Sequence, residues 1–244
     1  MHTMALSPVR TEPTALSAIN RESLQSRAKD AIVQAILNGL FMPGERVIET
    51  KIAEGLKLSR STVRAAIQAL IQEGLLVQMQ YCGTIVMPLT AVGAGELETM
   101  REALEGLAVR RAVEHATSDE IEELHRRYEA AYAAAGNNDI GLSYRLDLAI
   151  HQQLVTMAHH ELLAFHFKLI EPKMLLYMAH AGGPFLSRAS FERQHKDIVL
   201  GIARRDPELA TRALNAHFAE ATGFLVTLFA DKEAQANDQP SDID

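Results

Sequence analysis

Asp147, His151, His195 and His217 are of the types that ligate a divalent first-row metal ion. At about 100° per helical residue, Asp147 and His151 lie one turn apart on a face shared with Ile150, Leu154 and Ala158. His195 is centred on a face with Phe191, Ile198, Val199 and Ile202, and His217 on one with Ala213, Leu214, Ala221, Phe224 and Leu228. Arg101 shares its face with Leu97, Leu104 and Ala108. Each of these polar groups is costly to bury unpaired, and convergence on a shared ion and ligand removes that cost. One carboxylate and three neutral imidazoles leave a 2+ ion with about one positive charge. Open coordination positions beside Arg101 then suit an organic anion, its carboxylate shared between metal and guanidinium. Zinc is the first choice of ion, with nickel, manganese or iron as alternatives. An ordinary hydrogen-bonded core histidine accounts for any one of these residues as well, and at this point both readings stand.

A second set of residues suits DNA. In a helix beginning at Arg60, the stripe Val63, Ile67 and Leu70 turns inward and leaves Arg60, Ser61, Arg64 and Gln68 outward. A recognition helix presents such donors to the major groove, where arginine bonds guanine O6 and N7 bidentately. Thr50, Lys51 and Ser59 are placed to reach phosphates, and Gly83 lets a hairpin tip approach the backbone. A solvated helix face is the alternative for the helix alone. The ordered pattern around it favours DNA.

The elements that position these residues follow from periodicity and punctuation. Leu24, Ala28, Ile32, Ile36 and Leu40 predict a helix over 23–40, stopped by Pro43-Gly44. A short helix over 49–56, a turn at 57–59 with Ser59 as N-cap, and a helix over 60–72 follow. LLVQM and TIVM flank Gln80-Tyr81-Cys82-Gly83 as a hairpin. This is the order of a winged helix-turn-helix. Beyond residue 90 six helical segments are predicted, about 95–116, 118–135, 140–158, 160–180, 187–204 and 207–229. The breaks fall at Thr117-Ser118-Asp119, Gly136-Asn137-Asn138-Asp139, Gly182-Gly183-Pro184 and Asp206-Pro207. Pro172 is expected to kink the fourth segment or end it early. The fold class is therefore mainly α. A winged helix-turn-helix over 18–88 precedes an all-α antiparallel bundle over 89–230, with a flexible start over 1–17 and a disordered acidic tail over 231–244.

Bulk properties agree with this layout. The chain has 244 residues, 48% hydrophobic and 23% charged, with a net charge of −7. Residues 21–88 carry eight Lys/Arg against six Asp/Glu, and residues 89–230 fourteen against nineteen. The acidic remainder does not forbid a locally basic DNA-binding surface. No apolar run reaches the roughly 20 residues of a membrane span, the first fifteen residues lack a secretory core, and the lone Cys82 fits a reducing compartment, so a cytoplasmic protein is expected.

The motifs now carry a resemblance. Gly39-x-x-x-Pro43-Gly44-x-x-Val47, Ile52-Ala53-x-x-Leu56-x-Leu58-Ser59-Arg60-x-x-Val63-Arg64 and Leu70-x-x-Glu73-Gly74-Leu75-Leu76 resemble the DNA-binding domain of the GntR family of bacterial regulators. The resemblance implies operator contact by Arg60, Ser61, Arg64 and Gly83. Thr50 stands where some relatives have Arg, and Ala65 where Glu is common after the Val-Arg pair. MREALEGLAVRRAV, YRLDLAIHQQLV, RQHKDIVLGI and ALNAHF resemble the FCD ligand-binding domain of the FadR branch, in its six-helix VanR-like version. That resemblance implies metal ligation by Asp147, His151, His195 and His217 and effector contact by Arg101. Ile150 replaces a more common Phe; Gln194 and His160 replace a frequent Glu and Asn and are expected to alter pocket polarity. His115, His159, His166 and His180 are left outside the site.

The sequence thus predicts a homodimeric repressor that reads a palindromic double-stranded operator and responds to a small carboxylate at a metal site. Two alternatives are kept: a metal-dependent enzyme built in the bundle, which lacks a motif placing a general base or nucleophile, and a sensor of the metal ion itself.

Overall fold

The computed structural model describes residues 24–135, 140–181 and 187–237. Among them are nine helices and one two-stranded hairpin. The breaks predicted at 136–139 and 182–184, the flexible start and residues 238–244 lie outside the described residues.

The head comprises α1 (Leu24–Leu37), α2 (Glu49–Leu56), α3 (Arg60–Gln72), β1 (Leu76–Met79) and β2 (Gly83–Val86). Helix α1 stops before Leu40 because Gly39, at φ +76°, turns the chain left-handed, with Gly39 N donating to Ile36 O and Leu40 N to Ala35 O. Leu40 therefore does not join the stripe, and Leu24, the first residue of α1, is exposed as well. Ser59 caps α3, its side chain accepting from Thr62 N at 3.1 Å. Antiparallel β1 and β2 pair Leu76 with Val86 and Met79 with Gly83. A preceding extended stretch extends this wing through an Arg46–Ile85 bridge. Ile32, Ile36, Val63, Ile67, Leu70, Leu75, Leu76 and Val86 form the core of the head, and Leu176 from the second domain enters the same cluster.

The second domain contains α4 (Ala91–His115), α5 (Ser118–Ala134), α6 (Ile140–Met157), α7 (Glu161–Ala181), α8 (Arg188–Ala203) and α9 (Pro207–Asn237). Thr117 and Glu120 make a capping box at α5, and Asp206 Oδ1 accepts from Leu209 N behind Pro207 at the start of α9. Helix α4 packs against α6, α7, α8 and α9. A side chain at Gly201 would put its Cβ 2.6 Å from Ala210 N, so glycine there permits the close approach of α8 and α9, the helices carrying His195 and His217.

One expectation is narrowed and another corrected. Helix α7 runs through Pro172, so of the kink or early end expected there the early end is excluded. Leu163 and Phe167 before it and Met174, Leu176 and Tyr177 after it are all buried, and their packing offsets the roughly 3 kcal/mol a mid-helix proline costs. Helix α9 continues to Asn237, past the predicted start of the acidic tail. Glu233 accepts from Ala91 N at 3.1 Å and Lys232 donates to His180 O, so this turn is tied to the start of α4 and the end of α7.

Candidate metal centre and nucleic-acid interface

On the head, Arg60, Ser61, Arg64 and Gln68 all project from the exposed side of α3, opposite buried Val63, Ile67 and Leu70. Lys51 and Ser59 are exposed beside them, whereas Thr50 is half-buried. Arg64 is held by a bidentate pair with Glu49 at 2.9 Å for each bond, while its side chain stays 66% exposed. At the wing, Gly83 has φ +81°, which favours glycine, and the Arg46 guanidinium lies 3.4–3.8 Å from where a Cβ would stand. Arg46 is a cation that the sequence reading missed. Its place on the wing depends on the bridge to Ile85, which no local pattern announces.

In the second domain the three imidazoles come together. One nitrogen from each of His151, His195 and His217 lies within 4.8 Å of the others, and all three residues are buried. Asp147 joins them, with Oδ1 3.0 Å from His195 Nε2 and Oδ2 3.8 Å from His151 Nε2. His195 Nδ1 donates to Phe191 O at 3.0 Å, which leaves Nε2 as the ligating atom. His151 Nδ1 is bonded to Glu105, which likewise leaves Nε2 for the site. Five buried nitrogens make no aligned hydrogen bond among the described residues: Arg101 Nη2, His151 Nε2, His195 Nε2, which meets Asp147 only as an ion-pair partner, and both ring nitrogens of His217. Orphaned nitrogens of this kind are rare in a folded interior, and a divalent ion takes one nitrogen from each of the three imidazoles at once. Asp147 and the three histidines fit such an ion in type, number and convergence.

The electrostatics are those of a charge-dense interior. Burial alone raises the pKa of Asp147, but His195, His151 and His217 facing it hold it well below the usual carboxylate range. Burial, aided by His195 and His151, holds His217 well below the usual histidine value, so the ring is neutral and one nitrogen keeps its lone pair available. Burial pushes the Tyr144 phenol up to about 12, keeping it neutral at the cavity wall.

Arg101 is fully buried on α4. Its Nη1 donates to Glu98 at 3.0 and 3.1 Å, its Nε donates to Glu105 at 3.2 Å, and its guanidinium lies 5.2 Å from the Phe218 ring centroid. Arg101, Tyr144, Asp147 and His217 line a cavity together with Met178 and Ala181 of α7 and Phe224 of α9. Its volume is about 20 Å³, enough for an ion or about one water.

The head and the second domain each match a known protein family. Residues 24–86 match the model of the bacterial regulatory proteins, gntR family, and residues 96–220 match the FCD domain. A probable D-xylose utilization operon transcriptional repressor of Paenarthrobacter nicotinovorans is 32% identical over 203 residues, 82% of this chain and 88% of that protein. The HTH-type transcriptional regulator YdhC of Bacillus subtilis (strain 168) is 30% identical over 190 residues, 75% of this chain and 82% of the relative. The chain belongs to the GntR family, with an FCD domain. A solved GntR regulator from Rhodococcus sp. RHA1 shares the fold, with a TM-score of 0.71 at 22% identity, covering 83% of this chain and 97% of that one. GntR regulators bind operator DNA, and these relatives are regulators, not enzymes, which sets aside the enzyme alternative. Among the described residues no helix is long and apolar enough to cross a membrane.

Within this GntR chain the structure brings Asp147, His151, His195, His217 and Arg101 to one place. The histidines left outside the site have other surroundings: His159 meets Glu120, His180 is bonded to Leu176 O, His166 packs on Phe165, and His115 lies beside Glu114. Two residues expected to tune the pocket do not line it. His160 caps α7, its Nδ1 accepting from Leu163 N, and Gln194 Nε2 donates to Ser190 and Glu220. The two carboxylates Glu98 and Glu105 were missed, and they change the charge count. With them, Asp147 and Arg101, a 2+ ion brings the buried formal charge to about zero, below the +1 expected from the ligands alone.

Proposed function

We propose that this GntR regulator is a homodimeric repressor in the cytoplasm whose affinity for a palindromic operator is set by a small organic acid at a metal site. The divalent ion, zinc first, is held by Asp147, His151, His195 and His217; when bound it offers an open position to a carboxylate oxygen. Arg101 orients the acid through Nη2. Arg60, Ser61, Arg64 and Gln68 read bases, and Thr50, Lys51, Ser59 and Gly83 approach the backbone. One observation carries the reading: the orphaned nitrogens of Arg101 and the three histidines belong to one buried cluster. Exposed Leu162, Phe165 and Leu169 follow helical spacing on α7 and offer apolar surface that a second copy can cover.

Helix α7 supports a route between sites. Met178 and Ala181 wall the cavity, Leu176 sits in the core of the head, and the Tyr177 hydroxyl bonds Thr90 N and O at the joint before α4. An acid larger than the 20 Å³ cavity must displace part of its lining, and where Met178 and Ala181 move, the displacement reaches the head through Leu176 and Tyr177. Tyr177→Phe is expected to reduce the effector-induced change in operator affinity by roughly 2- to 30-fold while metal content stays at the wild-type level, as read by anisotropy titrations and metal analysis.

The test of the whole reading is operator binding by zinc-loaded protein across a panel of sugar acids and dicarboxylates, each beside its amide. A shift with an acid but not its amide, lost in Arg101→Ala, supports it; operator affinity indifferent to every acid overturns the effector part. A second reading, a sensor of the ion itself, is favoured by the small cavity and the near-zero buried charge. Zinc alone shifting operator affinity, with acids adding nothing, selects it.

A further inference from the structure

The carboxylate of Glu105 lies between the two halves of the site. One oxygen meets His151 Nδ1, the other accepts from Arg101 Nε at 3.2 Å, and the side chain is completely buried. Burial alone works against its negative charge, but His151 and Arg101 outweigh that penalty and hold its pKa below the ordinary value. Two constraints follow from the bonding. With Nδ1 engaged, the His151 ring cannot rotate or exchange tautomer without breaking a buried bond, so Nε2 remains turned toward Asp147 and the other imidazoles. With Nε engaged by Glu105 and Nη1 by Glu98, the planar guanidinium of Arg101 is fixed, and Nη2 is its one buried nitrogen without a partner among the described residues.

We propose that Glu105 is the positioning residue of this centre: one carboxylate aims His151 at the ion and Arg101 at the cavity. The inference rests on the metal reading above and assigns to Glu105 a task that neither ligand type nor cavity lining identifies. Carboxylates bonded to the far nitrogen of a ligating histidine fix its orientation and raise its basicity, and their loss costs roughly 10- to 100-fold in metal affinity. Glu98 supplies the internal comparison, since it is equally buried and its bonds go to Arg101. If buried negative charge alone set affinity, Glu98 and Glu105 would be interchangeable.

The experiment titrates Co(II) into the full-length metal-free protein, reading the dissociation constant and the ligand-field absorption, for wild type, Glu105→Gln and Glu98→Gln. The expected result is a 10- to 100-fold weaker constant and an altered band for Glu105→Gln, with a smaller loss and a wild-type band for Glu98→Gln. Wild-type affinity and band in Glu105→Gln, or equal losses in the two variants, would overturn the inference while leaving the metal site standing. A wild-type protein that takes up no Co(II) would overturn the metal reading and the inference with it. Should Glu105→Gln fail to fold, nitrogen-15 spectra of the zinc-loaded wild type decide. A protonated Nδ1 with a metal-shifted Nε2 on His151 supports the assignment, and the opposite tautomer sinks it.

Discussion

Replacing Arg60 or Arg64 with alanine is expected to weaken specific operator binding by roughly 30-fold to 10⁴-fold while leaving the fold intact. The estimate rests on a bidentate arginine–guanine contact, worth about 1–3 kcal/mol, made once in each half-site of a dimer and close to additive at that separation. The fold is insensitive because Arg60 and Arg64 are exposed and α3 is anchored by Val63, Ala66, Ile67 and Leu70. The Arg64–Glu49 pair is itself two-thirds exposed on the arginine side, a setting in which solvent screening leaves an ion pair little weight in stability. Losing Arg64 also leaves Glu49 uncompensated near phosphates, which places Arg64→Ala toward the upper end. Lys51→Ala is the contrast. Removing a phosphate-binding cation there weakens all duplexes alike and lowers the salt slope by about one. The measurement is fluorescence anisotropy at fixed salt on a duplex selected by the wild-type protein from a random pool, and on its scrambled form. Wild-type discrimination between the two duplexes in Arg64→Ala would remove Arg64 from the reading face.

Much of this was readable from residue type and spacing, for identifiable reasons. Ser59 followed by an apolar stripe announces both the start of α3 and the side it buries, because cap chemistry and helical period are local. Asp147, His151, His195 and His217 stand out because each is polar at the centre of an apolar face. Glu105 did not stand out. An acid four residues after an arginine reads as a solvent-exposed helix pair, and only the packing of α6, α7, α8 and α9 around α4 turns that pair inward. Glu98 is hidden for the same reason. The last turns of α9 were read by composition as tail, yet Glu233 reaches the first amide of α4, more than a hundred residues away in sequence. Pro172 carries a strong local helix-ending signal, and α7 continues through it with buried residues on both flanks. What escaped the sequence is packing made across the fold. In the second domain such packing sets the charge of the site and the size of its cavity.

The second large effect concerns His217, and its sign separates a ligand from a core residue. His217 is buried with both ring nitrogens unpartnered among the described residues, and its burial and neighbouring histidines keep it neutral. Without metal, removing it deletes an unsatisfied buried imidazole and leaves a space next to an existing cavity. The two contributions oppose each other, so metal-free His217→Ala should melt within a few degrees of metal-free wild type. With metal the outcome differs. Structural zinc sites contribute about 10–16 kcal/mol over four ligands, so losing one costs about 2.5–4 kcal/mol, or roughly 10²- to 10³-fold in affinity. At a free zinc concentration 1,000 times the wild-type dissociation constant, wild type gains about 4 kcal/mol. The variant, at one to ten times its own constant, gains only about 0.4–1.4 kcal/mol. For a chain of this size the difference is roughly 5–15 °C in melting temperature. The measurement is a thermal melt of both proteins, stripped by chelator and then reloaded with zinc. An ordinary core histidine would show the reverse pattern, with a deficit already present in the stripped proteins and no widening on reloading. That outcome would remove His217 from the metal site and leave the DNA-reading head untouched.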